Sequence, residues 1–149
     1  MVTIPHKNTN LYAGMYQFDQ GTIVDIQAVE TWYPILGMTE SDANSFIFQN
    51  GGELKCAVSG KYLVNPSISF MDGNKTLYQT AVAINGVPYY GTFLKAFIDK
   101  IDDLVFTCTT APIELNENDV ISLVIKNVTN VEKPTIIHAS LTLIRIGAI

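Results

Sequence analysis

The sequence has little charge, and positive charge is the scarcer kind. Only 15% of its 149 residues are charged, and 14 acidic residues against nine basic ones give a net charge of −5. Such a surface does not attract a phosphate backbone, so we expect no nucleic-acid partner. The hydrophobic share is 48%, which leaves few charges to coat the outside. We therefore expect another subunit to cover part of the surface.

Long apolar runs are also missing. No stretch of about 18 apolar residues occurs, so the sequence predicts no membrane insertion. The opening residues, MVTIPHKNTNLYAG, lack the apolar run of a secretory signal peptide. We therefore expect the chain to be made in a cytoplasm.

Cysteine and histidine number only two each. Cys56 and Cys108 lie in apolar runs, so we expect two buried free thiols rather than a disulfide framework. A zinc site needs more of these ligands than the chain offers. The sequence has no G-x-S-x-G elbow, and no glycine-rich loop that precedes a helix. We predict that the protein is not an enzyme and needs no cofactor.

Acidic residues cluster in two segments, DKIDD and ELNEND. Oxygen-rich loops can hold Ca²⁺, but Asp and Asn also favour ordinary turns. Asp99, Asp102 and Asp103 are the weak candidates for a calcium site. Two converging carboxylates could instead hydrolyse a glycosidic bond, so a glycan hydrolase stays open as a second alternative.

Helical periodicity is absent, and alternation of apolar and polar residues replaces it. Eight or nine strands without helical crossovers predict an antiparallel sandwich or barrel. The predicted strands are Thr22–Glu30, Ser45–Gln49, Leu54–Val58, Lys61–Met71, Leu77–Asn85, Thr92–Ile98, Leu104–Thr109, Val120–Lys126 and Thr135–Ile146. Residues 1–20 are polar and aperiodic, which predicts an N-terminal arm or linker before a domain at 21–149.

Two predicted strands carry a face that suits neither a core nor open water. In GKYLVNPSISF the residues from Tyr62 to Phe70 at alternate positions are apolar, and the opposite face is small and uncharged. The final strand, TIIHASLTLIRIG, has small polar residues mid-strand and isoleucines towards both ends. We expect these faces to meet a neighbouring copy of the chain. The residues predicted at that contact are Leu63, Asn65, Ser67, Ser69, Ile136, His138, Ser140, Thr142 and Ile144.

The order of these signals resembles the C1q/TNF-like trimeric jelly rolls. Gly60-Lys61-Tyr62 opens a long strand, Asn85-Gly86 follows the next one, and Asn118 to Leu123 and the closing HASLTLIRIG match later strands. The likeness runs from about Gly21 to the end. It implies an all-β jelly-roll β-sandwich that assembles as a homotrimer, with the Gly-x-Tyr strand and the final strand in the inner sheet.

The chain departs from the best-known layouts, since it has no collagen stalk and no membrane anchor. The resemblance therefore points to stand-alone use of the fold, as in bacteriophage virion proteins. We expect a virion structural protein, a capsid decoration or a fibre or tail component, made in the host cytoplasm. It would bind other virion proteins through residues 1–20. A bacterial or spore surface is the alternative location.

Aromatic residues supply the main rival interpretation. Tyr89, Tyr90 and Phe93 lie close together around a predicted turn, and Trp32 and Tyr33 end the first predicted strand. Tyrosine in loops is a favoured contact residue, because it offers large amphipathic area at low entropy cost. These side chains either pack in the core or make an adhesin head that binds a host-surface glycan or protein.

Overall fold

Two antiparallel sheets make up the fold. The computed structural model describes residues 10–149. One short 3-10 turn, Tyr90–Thr92, lies among the strands, and no helix of the described part is long and apolar enough to cross a membrane. The strands are β1 Tyr12–Ile23, β2 Trp32–Pro34, β3 Thr39–Glu40, β4 Phe46–Gln49, β5 Glu53–Cys56, β6 Gly60–Met71, β7 Thr76–Ile84, β8 Val87–Pro88, β9 Leu94–Ile98, β10 Val105–Cys108, β11 Ala111–Leu115, β12 Val120–Asn127 and β13 Thr135–Gly147.

The first sheet, here sheet A, has the strand order β10-β6-β13-β1-β3, with β11 also pairing with β6. The second, sheet B, runs β4-β5-β12-β7-β8, with β2 on β12 and β9 on β7. Two long strands, β6 and β13, pair side by side in the middle of sheet A. Each sheet therefore has one face towards the other sheet and one face outwards.

Alternate residues of facing strands fill the space between the sheets. Along β6 the buried side chains are Tyr62, Val64, Ile68 and Phe70, as the alternation predicted. The Phe70 ring meets the Tyr78 ring of sheet B edge-on, with ring centroids 5.2 Å apart. Burying one such side chain is worth about 1.5–3 kcal/mol, so this alternation fixes which face of β6 points inwards.

The predicted N-terminal arm is wrong for residues 12–20, which belong to β1. This strand pairs with β13 from Tyr12 opposite Ile144 to Phe18 opposite His138. Its inward positions hold Ala13 and Met15 and then Gln17, whose Nε2 donates to the Leu36 carbonyl oxygen at 2.8 Å. The buried glutamine interrupts the apolar alternation, so the segment looked polar. Residues 1–9 of the predicted arm lie outside the described residues.

Two further strand predictions need correction. Strand β1 ends at Ile23, so the predicted strand Thr22–Glu30 has only its first two residues in regular structure, although Val24 and Ile26 are buried. Strand β11 was missed because it contains Pro112. A proline is acceptable there because β11 lies at the edge of sheet A, where its nitrogen needs no partner.

The glycine of the Gly-x-Tyr motif lies where β6 comes closest to the end of β13. A Cβ atom on Gly60 would lie 2.8 Å from the Gly147 carbonyl oxygen and would also meet the Arg145 side chain. The register of β13 shifts between Arg145 and Gly147 at the same place. Gly60 is therefore required by the close approach of two backbones.

Candidate interaction surfaces

The outer face of sheet A has a small, uncharged centre between aromatic margins; we call it the open face. The register aligns Phe18, His138, Ser69 and Phe106 in one row across four strands. Tyr16, Ser140, Ser67 and Cys108 make the next row. Phe18 and Phe106 are 69% and 71% exposed. The outer strands thus carry exposed rings, whereas the central strands carry small side chains.

The centre of the open face makes few hydrogen bonds of its own. Asn65 is held at both ends, since its Nδ2 donates to Thr142 Oγ1 at 3.3 Å and its Oδ1 accepts from Thr110 Oγ1 at 2.7 Å. Within residues 10–149 the side-chain hydroxyls of Ser67, Ser69 and Ser140 have no such partner. These hydroxyls are thus not used by the described part of the chain.

Most residues predicted at the subunit contact lie on this face. Leu63, Asn65, Ser67, Ser69, His138, Ser140, Thr142 and Ile144 are half-buried or exposed there. Ile136 is the exception, because its side chain is fully buried in the core. The register of β13 shifts between Ile136 and His138, which turns Ile136 inwards and leaves Ile137 half-exposed. The prediction that Ile136 lies at a subunit contact is therefore wrong.

The cysteines also divide between core and surface. Both are free, Cys56 buried and Cys108 exposed on the open face. The prediction of two buried thiols is thus confirmed only for Cys56. Burial raises the pKa of its thiol above the ordinary value.

The acidic residues do not converge. Asp99 pairs with Lys75 at 3.0 Å, and Asp103 accepts a hydrogen bond from the Lys100 backbone N–H at 3.2 Å. Among residues 10–149 no three His, Cys, Asp or Glu side chains come together as ligands. The weak calcium candidates Asp99, Asp102 and Asp103 are thus not gathered into such a group within the described residues.

A cleft of about 540 Å³ opens beside β11 and the end of β7. Its lining includes Lys61, Tyr89, Pro112 and a single carboxylate, Glu114. Hydrolysis of a glycosidic bond uses a pair of carboxylates on either side of that bond. The described residues of this cleft supply only one of the two.

Two tyrosines with raised pKa values, Tyr62 and Tyr78, connect loops to the core. Burial raises the pKa of Tyr62 to about 12, and its hydroxyl donates to the Val58 carbonyl oxygen at 2.6 Å. Burial likewise raises the pKa of Tyr78, whose hydroxyl donates to the Asp72 carbonyl oxygen at 2.9 Å. Both phenols act as hydrogen-bond donors to backbone, a structural role.

Three aromatic rings lie side by side on the outer face of sheet B; we call them the aromatic row. Ring centroids are 5.2 Å apart between Trp32 and Phe93, and 4.9 Å apart between Phe93 and Tyr90. Trp32 and Phe93 cover Ala81, Ala83 and Val124. This cover explains why β12 is buried on both faces without help from another subunit.

The aromatic row contains three of the five residues predicted to touch a ligand or partner. Tyr90 is 84% exposed. The other two turn inwards. Tyr89 packs against the main core, and the Tyr33 hydroxyl accepts hydrogen bonds from the Gln27 and Ala28 backbone N–H groups.

Thr92, which no sequence signal indicated, fixes the turn that carries Tyr90. Its buried hydroxyl accepts from the Val82 N–H at 2.9 Å and donates to the Tyr89 carbonyl oxygen at 2.8 Å. The Tyr89 N–H donates in turn to the Val82 carbonyl oxygen at 2.7 Å. These hydrogen bonds therefore fix the backbone of the turn that carries the exposed Tyr90 ring.

Comparison with known proteins shows similarity in structure only, since no family model and no curated protein matches the chain. The Eiger TNF structure from S. frugiperda superimposes with a TM-score of 0.65 at 14% identity, covering 95% of this chain and 96% of that one. Murine APRIL gives 0.62 at 12% identity, covering 91% and 99%. The globular domain of zebrafish complement 1qA gives 0.59 at 14% identity, covering 93% and 99%.

These identities are low, so the likeness concerns the fold. It covers nearly the whole of residues 10–149 and agrees with the two-sheet architecture described above. The chain is an all-β antiparallel jelly roll of the C1q/TNF-like type.

Proposed function

We propose that the protein is a non-enzymatic structural module of a virion, which assembles as a homotrimer through the open face. The observation that carries the assembly is the composition of that face, with a small uncharged centre between exposed rings of Tyr16, Phe18 and Phe106. The fold supports it as well, because C1q/TNF-like jelly rolls typically associate with copies of themselves.

A second copy suits this face better than water does. Covering a charged face would cost desolvation energy, whereas serine and threonine allow close approach and offer hydroxyls to pair. Ile144 and Ile146 are 51% and 53% exposed, and would supply dry contact area. Three copies around an axis make a closed assembly with no free complementary surface.

Ser67→Glu and Ser69→Glu should block assembly and leave the fold intact. Each would place an unpaired carboxylate in the middle of the covered face, which costs several kcal/mol when desolvated. Sedimentation equilibrium should show three wild-type chains together and a single folded chain for either variant. Ser59→Glu is the matched control, because it adds the same charge in an exposed turn. Trimers from both open-face variants, or a wild-type monomer at micromolar concentration, would contradict the proposed assembly.

The placement in a virion rests on the resemblance drawn from the sequence alone, to jelly rolls used as stand-alone domains in bacteriophage virions. Residues 12–18 are occupied by pairing in sheet A, so docking to other virion proteins is assigned to residues 1–9. A chain that lacks residues 1–9 should still form trimers but should be missing from purified particles, as measured by quantitative immunoblotting. Normal incorporation of the shortened chain would rule out this docking segment, and absence of the wild-type chain from particles would rule out the virion role.

A further inference from the structure

We propose that the aromatic row binds a saccharide chain. This inference deepens the adhesin alternative that the aromatic residues raised in the sequence, and it does not depend on the trimer. The row lies on the outer face of sheet B, whereas the open face lies on sheet A. Contacts made by the open face itself would therefore not cover the row.

The packing of the fold does not explain why the Tyr90 ring is so exposed. The ring is 84% exposed, although the turn beneath it is fixed by Thr92. It stacks on Phe93, which already covers the sheet together with Trp32. A rigid, exposed aromatic ring loses little conformational entropy when a ligand stacks on it, and this favours a binding role.

The shape of the row favours a saccharide over a protein side chain. An apolar anchor of a partner protein needs a pocket that surrounds it and excludes water. The row is instead an open ridge of rings, with centroids 5.2 and 4.9 Å apart and with planes tilted by 54° between Trp32 and Phe93 and by 36° between Phe93 and Tyr90. The outermost ring, Tyr90, is 84% exposed and can therefore stack against the C–H face of a sugar ring.

Polar groups beside the row fit the hydroxyls of a sugar. Lys126 Nζ lies 4.9 Å from the centroid of the Trp32 ring and 3.6 Å from a carboxylate oxygen of Glu30. Lys126 is only 16% exposed, whereas the exposed Glu30 carboxylate offers acceptor oxygens at one end of the row, and the Tyr90 hydroxyl offers a donor and an acceptor at the other. Stacking surface with hydrogen-bonding groups at its ends is the combination that a polyhydroxylated ring needs.

Trp32 provides a local readout, since it is the only tryptophan in the chain. Its fluorescence is to be titrated with linear hexasaccharides of glucose, of N-acetylglucosamine and of galacturonic acid. We expect at least one to shift the emission. Tyr90→Ala should weaken that binding about tenfold, the effect of losing one aromatic stacking contact. Phe97→Ala is the matched control, because Phe97 is 54% exposed on neighbouring β9 and makes no ring contact with the row.

The outcomes separate clearly. If none of the three saccharides binds at millimolar concentration, or if both variants bind as the wild type does, the inference is overturned. Equal weakening by Phe97→Ala would also overturn it, because the effect would not belong to the row. The Ser67→Glu chain retains the row and should bind with unchanged affinity per site. Failure of the trimer and failure of the saccharide site are therefore distinguishable.

Discussion

At the scale of single residues, Glu132 joins two loops at one end of the sandwich. Its Oε2 accepts hydrogen bonds from Thr76 Oγ1 at 2.6 Å and from the Asn74 backbone N–H at 2.8 Å. These donors stabilise the carboxylate and lower its pKa below the ordinary value of 4.5. The charged form is therefore worth more in the folded chain than in the unfolded one.

Glu132→Gln should lower the free energy of unfolding by about 1 kcal/mol at pH 7, because the hydrogen bonds lose their charge assistance. A lowered pKa contributes stability above the unfolded value, near 4.5. That contribution is lost as the pH falls through the lower folded value. Urea unfolding from pH 7 to pH 3 should thus show the two stability curves converging at the acid end. Glu40→Gln, at an exposed position, is the control. A constant difference at all pH values would show that the charge is unimportant.

Residue-level predictions from sequence were good where alternation is regular and poor where it breaks. Every residue of the Leu63-to-Ser69 face was placed correctly, because strand β6 has no irregularity. Ile136 was misplaced by a shift in register that no local signal marks. Thr92 was missed since its role depends on a backbone partner ten positions away.

At the scale of elements, the start of β6 depends on a glycine. Gly60→Ala should destabilise the protein by about 1–3 kcal/mol, since the added methyl group must displace the backbone at the end of β13. Thermal unfolding measures this change. Gly147→Ala is the matched control, because a Cβ atom there meets nothing within 4 Å. Similar melting temperatures for the two variants would show that the strands can separate without cost.

The two longer strands that the sequence analysis missed share a physical cause. Strand β1 buries a glutamine and β11 contains a proline, so each lacks the apolar alternation that identifies a strand. Both are held by pairing with long central strands, β13 and β6 respectively. Tertiary pairing thus overrides weak local preference, which is the usual reason for such errors.

At the scale of the whole molecule, the fold was predictable because several weak signals agree in order. Turn residues such as Asn85 and Gly86 have positive φ angles of 53° and 79°, as a tight hairpin requires. The sequence indicated the residues of the aromatic row but not that they lie together. Its residues come from β2 and from the segment after β8, which only the folded sheet brings together.

The position of the two surfaces on opposite sheets also has a consequence for binding strength. A trimer closed through the open face would carry three copies of the aromatic row, all pointing away from the axis. A weak single-site affinity would then suffice on a dense polysaccharide coat, because each later contact forms at a high effective concentration. A monomeric chain such as Ser67→Glu would keep its affinity for a free oligosaccharide, yet would detach quickly from a surface that presents many.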